Sequence, residues 1–433
     1  MMVGLTCHYV TVRIPSRFPP SLARVAKDSE LYKSMNGAPV SRIPSRCCAR
    51  SLHYLSTFCQ GVPRVFKGEH EQLRVWIDTL TPKQGLFFAP IHDLLRDQGH
   101  NVLVTTRTYR ESEQTLRRLR VPYRVVGKHG GGSPIGKLLA SGERIVRLAR
   151  LIDEWKPDVA VSFSSVEASR VAFGLGIPHV ASNDSPHSWM VARLTIPISA
   201  YICSPWIFNK KIWSEFGASK GRIITYRALD PAAWLKRHKP DPRILSKLGL
   251  NSKQPIVVLR TEEAFASYLM GRSSDSKPVV GPVIANLLRK NKELQILVST
   301  RYGQQAPVLR RLFGRRVIVL DQIIDAASLL SRTDVFIGSG GTMTVEAALL
   351  GVPAISCFPG PKPLYIRYLE TKGLVRTIKS PRKIGNEVLE ILRDDRRRED
   401  QRRKGTRLLA WMEDPTQKIL ETVKKAPGKW KLN

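Results

Sequence analysis

Acidic residues are scarce in this chain. Of 433 residues, 36 are Asp or Glu and 70 are Lys or Arg, a formal charge of +34. An excess of that size says what the protein meets rather than how it folds. It points to phosphate-bearing ligands, nucleic acid or an anionic membrane surface. The excess is spread unevenly. Residues 1–70 supply 7 of these charges (10 basic against 3 acidic) and residues 378–433 another 7 (16 against 9), leaving about 20 on the 307 between. Long apolar runs are absent too. No window reaches the roughly 18 uncharged apolar residues of a spanning helix, and the nearest, 194–209, is broken by Pro197 and Pro205. The chain therefore reads as soluble and cytoplasmic, with peripheral membrane attachment as the alternative. Cysteine is sparse: Cys7, Cys47, Cys48 and Cys59 stand in the first sixty residues, and only Cys203 and Cys357 follow. That excludes a disulfide framework in the body, and no metal-ligand spacing occurs. No RNA-recognition consensus or zinc module is present. Nucleic acid is therefore the less favoured anionic partner.

Residues 1–70 are rich in Pro, Ser and Arg, repeat RIPSR at 13–17 and 42–46, and show little hydrophobic periodicity. They read as a disordered basic tail, a mis-started extension or a transit peptide. From Leu73 onward, strand-like and helix-like stretches alternate, the pattern of parallel sheets covered by helices. Strands are expected at 74–78, 101–105, 123–126, 159–163, 179–181 and 200–203. Helices are expected at 87–98, 110–119 and 141–156. A second series has strands at 256–260, 294–299, 317–320, 335–338, 354–357 and 375–378. Its helices lie at 280–290, 324–331, 343–350 and 365–371. The expected fold class is α/β: two Rossmann-like domains, 71–227 and 256–405, with a cleft between them. Residues 228–255 read as a linker, the charged run 394–404 as a solvated helix face, and 406–433 as a C-terminal helix and tail.

The sharpest motif is DVFIGSGGTMTVEAALLGVPAI, residues 334–355. A strand ends at Gly338, a turn of Ser339, Gly340, Gly341 and Thr342 follows, and a helix begins. Glycines allow close backbone approach, and a helix N-terminus offers free N–H groups to an anion. Such turns at strand carboxyl ends are where open α/β sheets bind ligands. Arg260 closes the first strand of the second domain and suits bidentate phosphate contact. In VVGKHGGGS, Lys128 and His129 precede three glycines that could form an anion-binding nest or only a mobile loop. In SNDSPHS, Asp184 and His187 are candidates for proton transfer, while an Asx turn accounts for the same residues structurally.

The spacing Ser339-Gly340, Thr344-Val345-Glu346 and Gly351-x-Pro353 resembles the donor-nucleotide motif of GT-B glycosyltransferases, above all the peptidoglycan N-acetylglucosaminyltransferase. It is also similar to the Ser-Gly-Gly turn of non-hydrolysing UDP-N-acetylglucosamine 2-epimerases. VWIDTLTPKQGLFF, GKHGGG, NDSPHS and SGGTMTVEAALLGVPAIS together resemble a largely archaeal family, domain of unknown function 354, over residues 73–425. The resemblance implies a GT-B-like fold. It implies Gly340, Gly341 and Thr342 at a diphosphate, Glu346 at the ribose, and an Arg–Glu pair formed by Arg260 with Glu262 or Glu263. An acidic pair at a helix start would serve the dipole instead. It sets Asp184 and His187 in the loop that carries catalytic groups in the epimerases. It places Asp78, Lys83 and Gln84 on the turn that approaches the acceptor. Phe87 and Phe88 there are pocket-lining or core.

Two features depart from the peptidoglycan enzyme. Its glycine-rich turn with a histidine is missing after the first strand, and Lys362–Leu364 stand where it has glutamines. The expectation is a glycosyltransferase that binds a nucleotide-sugar, most naturally a UDP-sugar, as substrate, with no cofactor and no metal. Its acceptor is unassigned, and a lipid-linked one at a membrane surface is compatible with the charge. The alternatives are a UDP-sugar 2-epimerase and a non-enzymatic nucleic-acid binder on the same fold.

Overall fold

The computed structural model describes residues 72–261, 280–300, 305–358 and 360–429. The expectations for residues 1–70, Glu262 and Glu263 lie outside these. The described residues fall within one compact unit, Phe66–Asn433.

Two parallel sheets form it. The first has strands β1 (Arg74–Thr79), β2 (Asn101–Thr108), β3 (Arg124–Lys128), β4 (Val159–Ser162), β5 (His179–Ser182), β6 (Tyr201–Pro205) and β7 (Ile223–Tyr226), in the order β3-β2-β1-β4-β5-β6-β7. The second has β8 (Ile256–Arg260), β9 (Gln295–Ser299), β10 (Ile318–Leu320), β11 (Val335–Gly338), β12 (Ala354–Ser356) and β13 (Val375–Thr377), in the order β10-β9-β8-β11-β12-β13. The strands are short apolar runs because both faces of each sheet are covered by helices. Each sheet reverses its winding once, between β1 and β4 and between β8 and β11. Such reversals open a crevice at the carboxyl ends of the strands.

All twelve expected strands are present; β7 is additional. Alternation along β1 sorts its side chains. Val75 and Ile77 enter the large core shared with helix Pro82–Asp97. Trp76 joins the opposite core, beneath helix Pro134–Trp155. Phe87 and Phe88 are buried and pack edge to face, 5.2 Å between centroids, so they are core residues.

The stretch 228–255 does more than link. Ala228, Leu229 and the helix Ala232–Leu235 are buried in the large core. The C-terminal helix Pro415–Lys429 returns to the first sheet, burying Ile419, Leu420, Val423 and Ala426 in that same core. The charged run lies on helix Asp395–Trp411, mostly exposed, with Lys404 and Asp400 paired at 2.7 Å. Gly351, part of the GVP signature, has a structural task. It sits at φ +75°, and a Cβ there would lie 2.5 Å from the backbone of Arg402. It lets two helices touch at backbone distance.

Candidate active site

A cavity of about 570 Å³ lies between the carboxyl ends of the two sheets. The turn after β1 supplies Thr81 and the start of helix Pro82–Asp97 supplies Lys83, β8 supplies Arg260, the turn after β11 supplies Ser339 and Gly341, and the helix that follows supplies Thr342 and Glu346. Helix Thr342–Leu349 starts at this wall, with Gly341 as its N-cap. Its first N–H groups have no partners within the helix, and the positive end of its dipole meets the cavity. Gly340 does not line the cavity. It adopts φ +77°, with its α-carbon face against Ser356, and so turns the chain sharply enough to aim its neighbours inward. Arg260 is anchored by donating to Ser299 Oγ and, at 2.8 Å, to the Thr300 carbonyl.

Glu346 is buried, and its Oε1 accepts a hydrogen bond from Trp234 Nε1 at 2.8 Å. Burial raises its pKa to about 7 against the opposing pull of Trp234 and Arg260. Beside it, His238 Nε2 lies 3.0 Å from Asp325, and Ser328 Oγ donates to that carboxylate at 2.8 Å. Trp234, His238 and Asp325 all line the cavity.

Below the cavity a narrow pocket of about 20 Å³ continues past Lys83 and Thr342 to Asp184 and Asp230. Lys83 Nζ sits 2.6 Å from Asp184 Oδ2 and 2.7 Å from Asp230 Oδ2. Tyr226 donates to Asp230 Oδ1 at 2.7 Å, and Ser185 Oγ to Asp184 Oδ1 at 2.8 Å. Burial alone would discharge Lys83, but the two carboxylates outweigh it and hold its pKa above the ordinary value. Burial also opposes charge on Asp184, yet Lys83 wins and keeps that carboxyl below its usual range. For Asp230, burial prevails, helped by repulsion from Asp184, and pushes it up to about 7. One cation thus faces two carboxylates of different basicity, an arrangement suited to proton transfer.

His187 stands on the same loop with an exposed edge, and partial desolvation of its ring lowers its pKa against the pull of Asp184. Asn183 Oδ1 accepts the Ser185 N–H at 2.7 Å, so the Asx turn is also present. Asn183 makes the turn and frees Asp184 to face Lys83.

Three expected site residues lie elsewhere. Asp78 is buried away from the cavity, on the Trp76 side of β1, and is no candidate base. Arg144 grips it with two hydrogen bonds, Nη2 to Oδ1 at 2.6 Å and Nη1 to Oδ2 at 3.0 Å, and Thr105 donates a third at 2.6 Å. Burial would raise its pKa, but Arg144 holds it below the ordinary carboxylate value. Lys128 ends β3, at the sheet's edge, His129 follows it, and neither lines the cavity. His129 Nδ1 accepts the Gly131 N–H at 3.1 Å, and its ring stacks on Tyr109. Burial, then Arg107 and Lys137, lower its pKa to about 4. Gln84 is a turn clasp whose Oε1 accepts the Leu80 N–H at 2.6 Å. Lys362 pairs with Glu370 at 2.9 Å. Among the described residues, no group of three or more His, Cys, Asp or Glu side chains could hold a metal ion.

Sequence reasoning missed Asp230, Tyr226 and Trp234. The weak signal was a carboxylate and a tryptophan inside an apolar stretch, LDPAAWL, too buried in character for a linker.

Comparison with known proteins agrees with this architecture. The profile of the family described as Protein of unknown function (DUF354) matches residues 73–427. The uncharacterized protein MJ0665 of Methanocaldococcus jannaschii is 32% identical over 292 residues, which cover 66% of this chain and 82% of that protein. Among solved structures, UDP-GlcNAc 2-epimerase from Neisseria meningitidis bound to UDP-GlcNAc superposes with a TM-score of 0.62 at 15% identity. The match covers 82% of this chain and all of that one. The spinosyn forosaminyltransferase SpnP superposes with a TM-score of 0.58 at 16% identity, covering 83% and 100%. The fold is thus the GT-B-like one shared by UDP-sugar epimerases and glycosyltransferases.

Proposed function

The chain belongs to the DUF354 family, and we propose that it is a GT-B-type glycosyltransferase taking a nucleotide-sugar, a UDP-sugar first, into the interdomain cleft. One observation carries the reading. The helix N-terminus at Gly341–Thr342 and Glu346, on the helix that follows β11 of the second sheet, line a single cavity with Lys83, on the helix that follows β1 of the first. The diphosphate lies against the first-turn N–H groups of helix Thr342–Leu349 and the Arg260 guanidinium. The ribose hydroxyls donate to Glu346. The sugar then points toward Lys83.

The chemistry follows from those places. The bond between the anomeric carbon and the diphosphate oxygen breaks, and the charge that develops on the diphosphate is met by Arg260, Lys83 and the helix dipole. Preorganised charge of this kind is usually the largest catalytic contribution. An acceptor oxygen bonds to the anomeric carbon and yields its proton to Asp184, which Lys83 keeps ionised. His187 is the alternative base on the same loop. The test is titration with UDP, GDP and CDP, followed by release of UDP from UDP-sugars in the presence of candidate acceptors. Absence of binding to all three nucleotides overturns the donor site.

A second reading, sugar 2-epimerisation, is favoured by one feature: Asp184 and Asp230 share Lys83 but differ in basicity. An epimerase needs groups that remove and return a proton at C2. It would exchange solvent deuterium into C2 of the UDP-sugar with no acceptor present, and a transferase would not.

A further inference from the structure

The first domain carries an apolar face that the donor site does not use. Helix Pro134–Trp155 exposes Ile135 (61%), Leu138 (69%), Leu139 (60%) and Val146 (53%). At 100° per residue these fall within one stripe about 100° wide. The opposite stripe, Ala140, Arg144, Leu148 and Ile152, is the buried one. A helix with two apolar faces is normally buried on both, and here one is open. Helix Trp189–Thr195 adds Trp189, Met190 and Leu194, each more than two-fifths exposed. Both helices pack on the helix Val166–Gly174 that lies between them, so the two groups occupy one side of the sheet. Both also start just beyond strand carboxyl ends, after β3 and β5, the end at which the cleft opens.

Cations fringe this face. Lys128, Arg147, Arg150, Arg170 and Arg193 are exposed and Lys137 is half-buried, against Glu143 among them and Asp153 and Glu154 at the C-terminal end of helix Pro134–Trp155. The Arg193 guanidinium lies over the Trp189 ring, 5.6 Å from its centroid.

We propose that this rim of the first domain seats on an anionic lipid bilayer, with the apolar side chains entering the headgroup–acyl boundary and the cations meeting lipid phosphates. Apolar burial combined with attraction to anionic lipid is the physics of interfacial helices. The excess of cations over acids selects this occupant over a second copy of the chain, because a two-fold contact would set two faces of the same net positive charge against one another. The apolar stripe selects it over nucleic acid, whose phosphates offer nothing to Leu138 and Leu139. The seat brings the cleft mouth to the membrane and makes a lipid-linked molecule the substrate class for the open acceptor side. That last step rests on the transferase reading, while the docking itself does not.

The experiment is sedimentation of the full-length protein with vesicles of phosphatidylcholine containing 30 mol% phosphatidylglycerol, with pure phosphatidylcholine alongside. The double variant Leu138→Ser/Leu139→Ser keeps the net charge and alters only exposed positions. It should lower partitioning onto the anionic vesicles about thirtyfold or more, as loss of two buried leucines implies. Trp189→Ser should lower it about tenfold. UDP affinity should be unchanged in both, so failure of docking and failure of the donor site are read separately. Absence of wild-type binding to anionic vesicles overturns the proposal. So does undiminished binding of the double variant, which would leave net charge as the whole cause. Concentration-dependent dimerisation that the double variant abolishes, or oligonucleotide binding that it abolishes, would assign the face to those partners and equally overturn it.

Discussion

Glu346→Gln separates what the cleft needs from what the fold would prefer. The carboxyl is buried with a pKa of about 7, against 4.5 for an ordinary glutamate, burial being the main cause. Below pH 4.5 it is protonated in both folded and unfolded chains, and the shift costs nothing. Between pH 4.5 and 7 the unfolded chain ionises while the folded one holds its proton, so stability falls as pH rises. Above pH 7 the loss is complete and levels off. Each pKa unit is worth about 1.4 kcal/mol, so the full penalty is about 3 kcal/mol. A glutamine keeps the same shape, accepts the Trp234 hydrogen bond and carries no charge. Its amide must find an acceptor in place of an ionised oxygen, which takes back about 1 kcal/mol. The variant should therefore melt about 4 °C above wild type at pH 8, taking roughly 2 °C per kcal/mol for a body of this size. The difference should close by pH 5. In the same samples UDP should bind roughly ten- to a hundredfold more weakly, since two ribose hydroxyls lose a charged acceptor worth about 1.5–3 kcal/mol. Differential scanning calorimetry from pH 5 to 8.5 and isothermal titration with UDP read both effects. A melting difference that is absent at pH 8, or that does not narrow toward pH 5, refutes the argument from burial.

Asp184→Asn should reduce turnover by about 10²–10⁴ with little change in UDP affinity, measured by UDP release or C2 deuterium exchange; full activity would leave Asn183 and Asp184 with a turn-forming role only. Lys83→Met leaves Asp184 and Asp230 facing each other without a cation and should destabilise the protein by about 3–5 kcal/mol; adding Asp230→Asn should recover part of that loss, read by chemical denaturation. Arg144→Met should destabilise by a similar amount because it strands the buried Asp78 carboxylate, while Asp78→Asn leaves UDP affinity intact; a loss of UDP binding in Asp78→Asn would return Asp78 to the site. Gly351→Ala forces a Cβ toward the Arg402 backbone at positive φ and should cost at least about 1 kcal/mol, with UDP affinity again unchanged.

The alternation of strand and helix was legible because its causes are local. A strand buried on both faces must be a short apolar run, and each crossover helix announces itself by its period and caps. The one strand missed, β7, is the four residues IITY, followed at once by a stretch that reads as polar linker. Its neighbour across the sheet is β6, about twenty residues earlier, and pairing of that kind leaves no local mark. The donor turn was legible for the same reason as the helices: strand, glycines and helix start are consecutive, so the anion-binding geometry is written in one segment.

Asp78, Lys128 and His129 show where local reading fails. All three stand at the carboxyl ends of first-domain strands, which is the right level for a cleft. Level does not fix direction. Asp78 follows Ile77, and alternation along the strand turns it to the face where Arg144 waits. The sequence separates those two residues by 66 positions, so no motif records their pairing. Lys128 closes the edge strand β3 and His129 follows it, whereas the crevice opens at the switch between β1 and β4.

The same reasoning explains why the base of the cleft was only half seen. Lys83 and Asp184 are 101 residues apart, and Trp234 and Glu346 are 112 apart. The first pair joins the segments that follow β1 and β5 of one sheet, and the second joins the crossing segment to the helix that follows β11 of the other. Asp230, Trp234 and His238 come from the crossing segment between the domains, whose job in the fold is to bury Leu229 and Ala232 against both. A segment that must be apolar to join two cores can carry a carboxylate only if a cation meets it there, and Lys83 does. The tie between joint and site follows from that requirement. Asp230 is held to the first sheet by Tyr226 of β7 and by Lys83, while Trp234, four residues on, reaches Glu346 beside the second sheet, so one short segment ties the paired carboxylates to the donor wall.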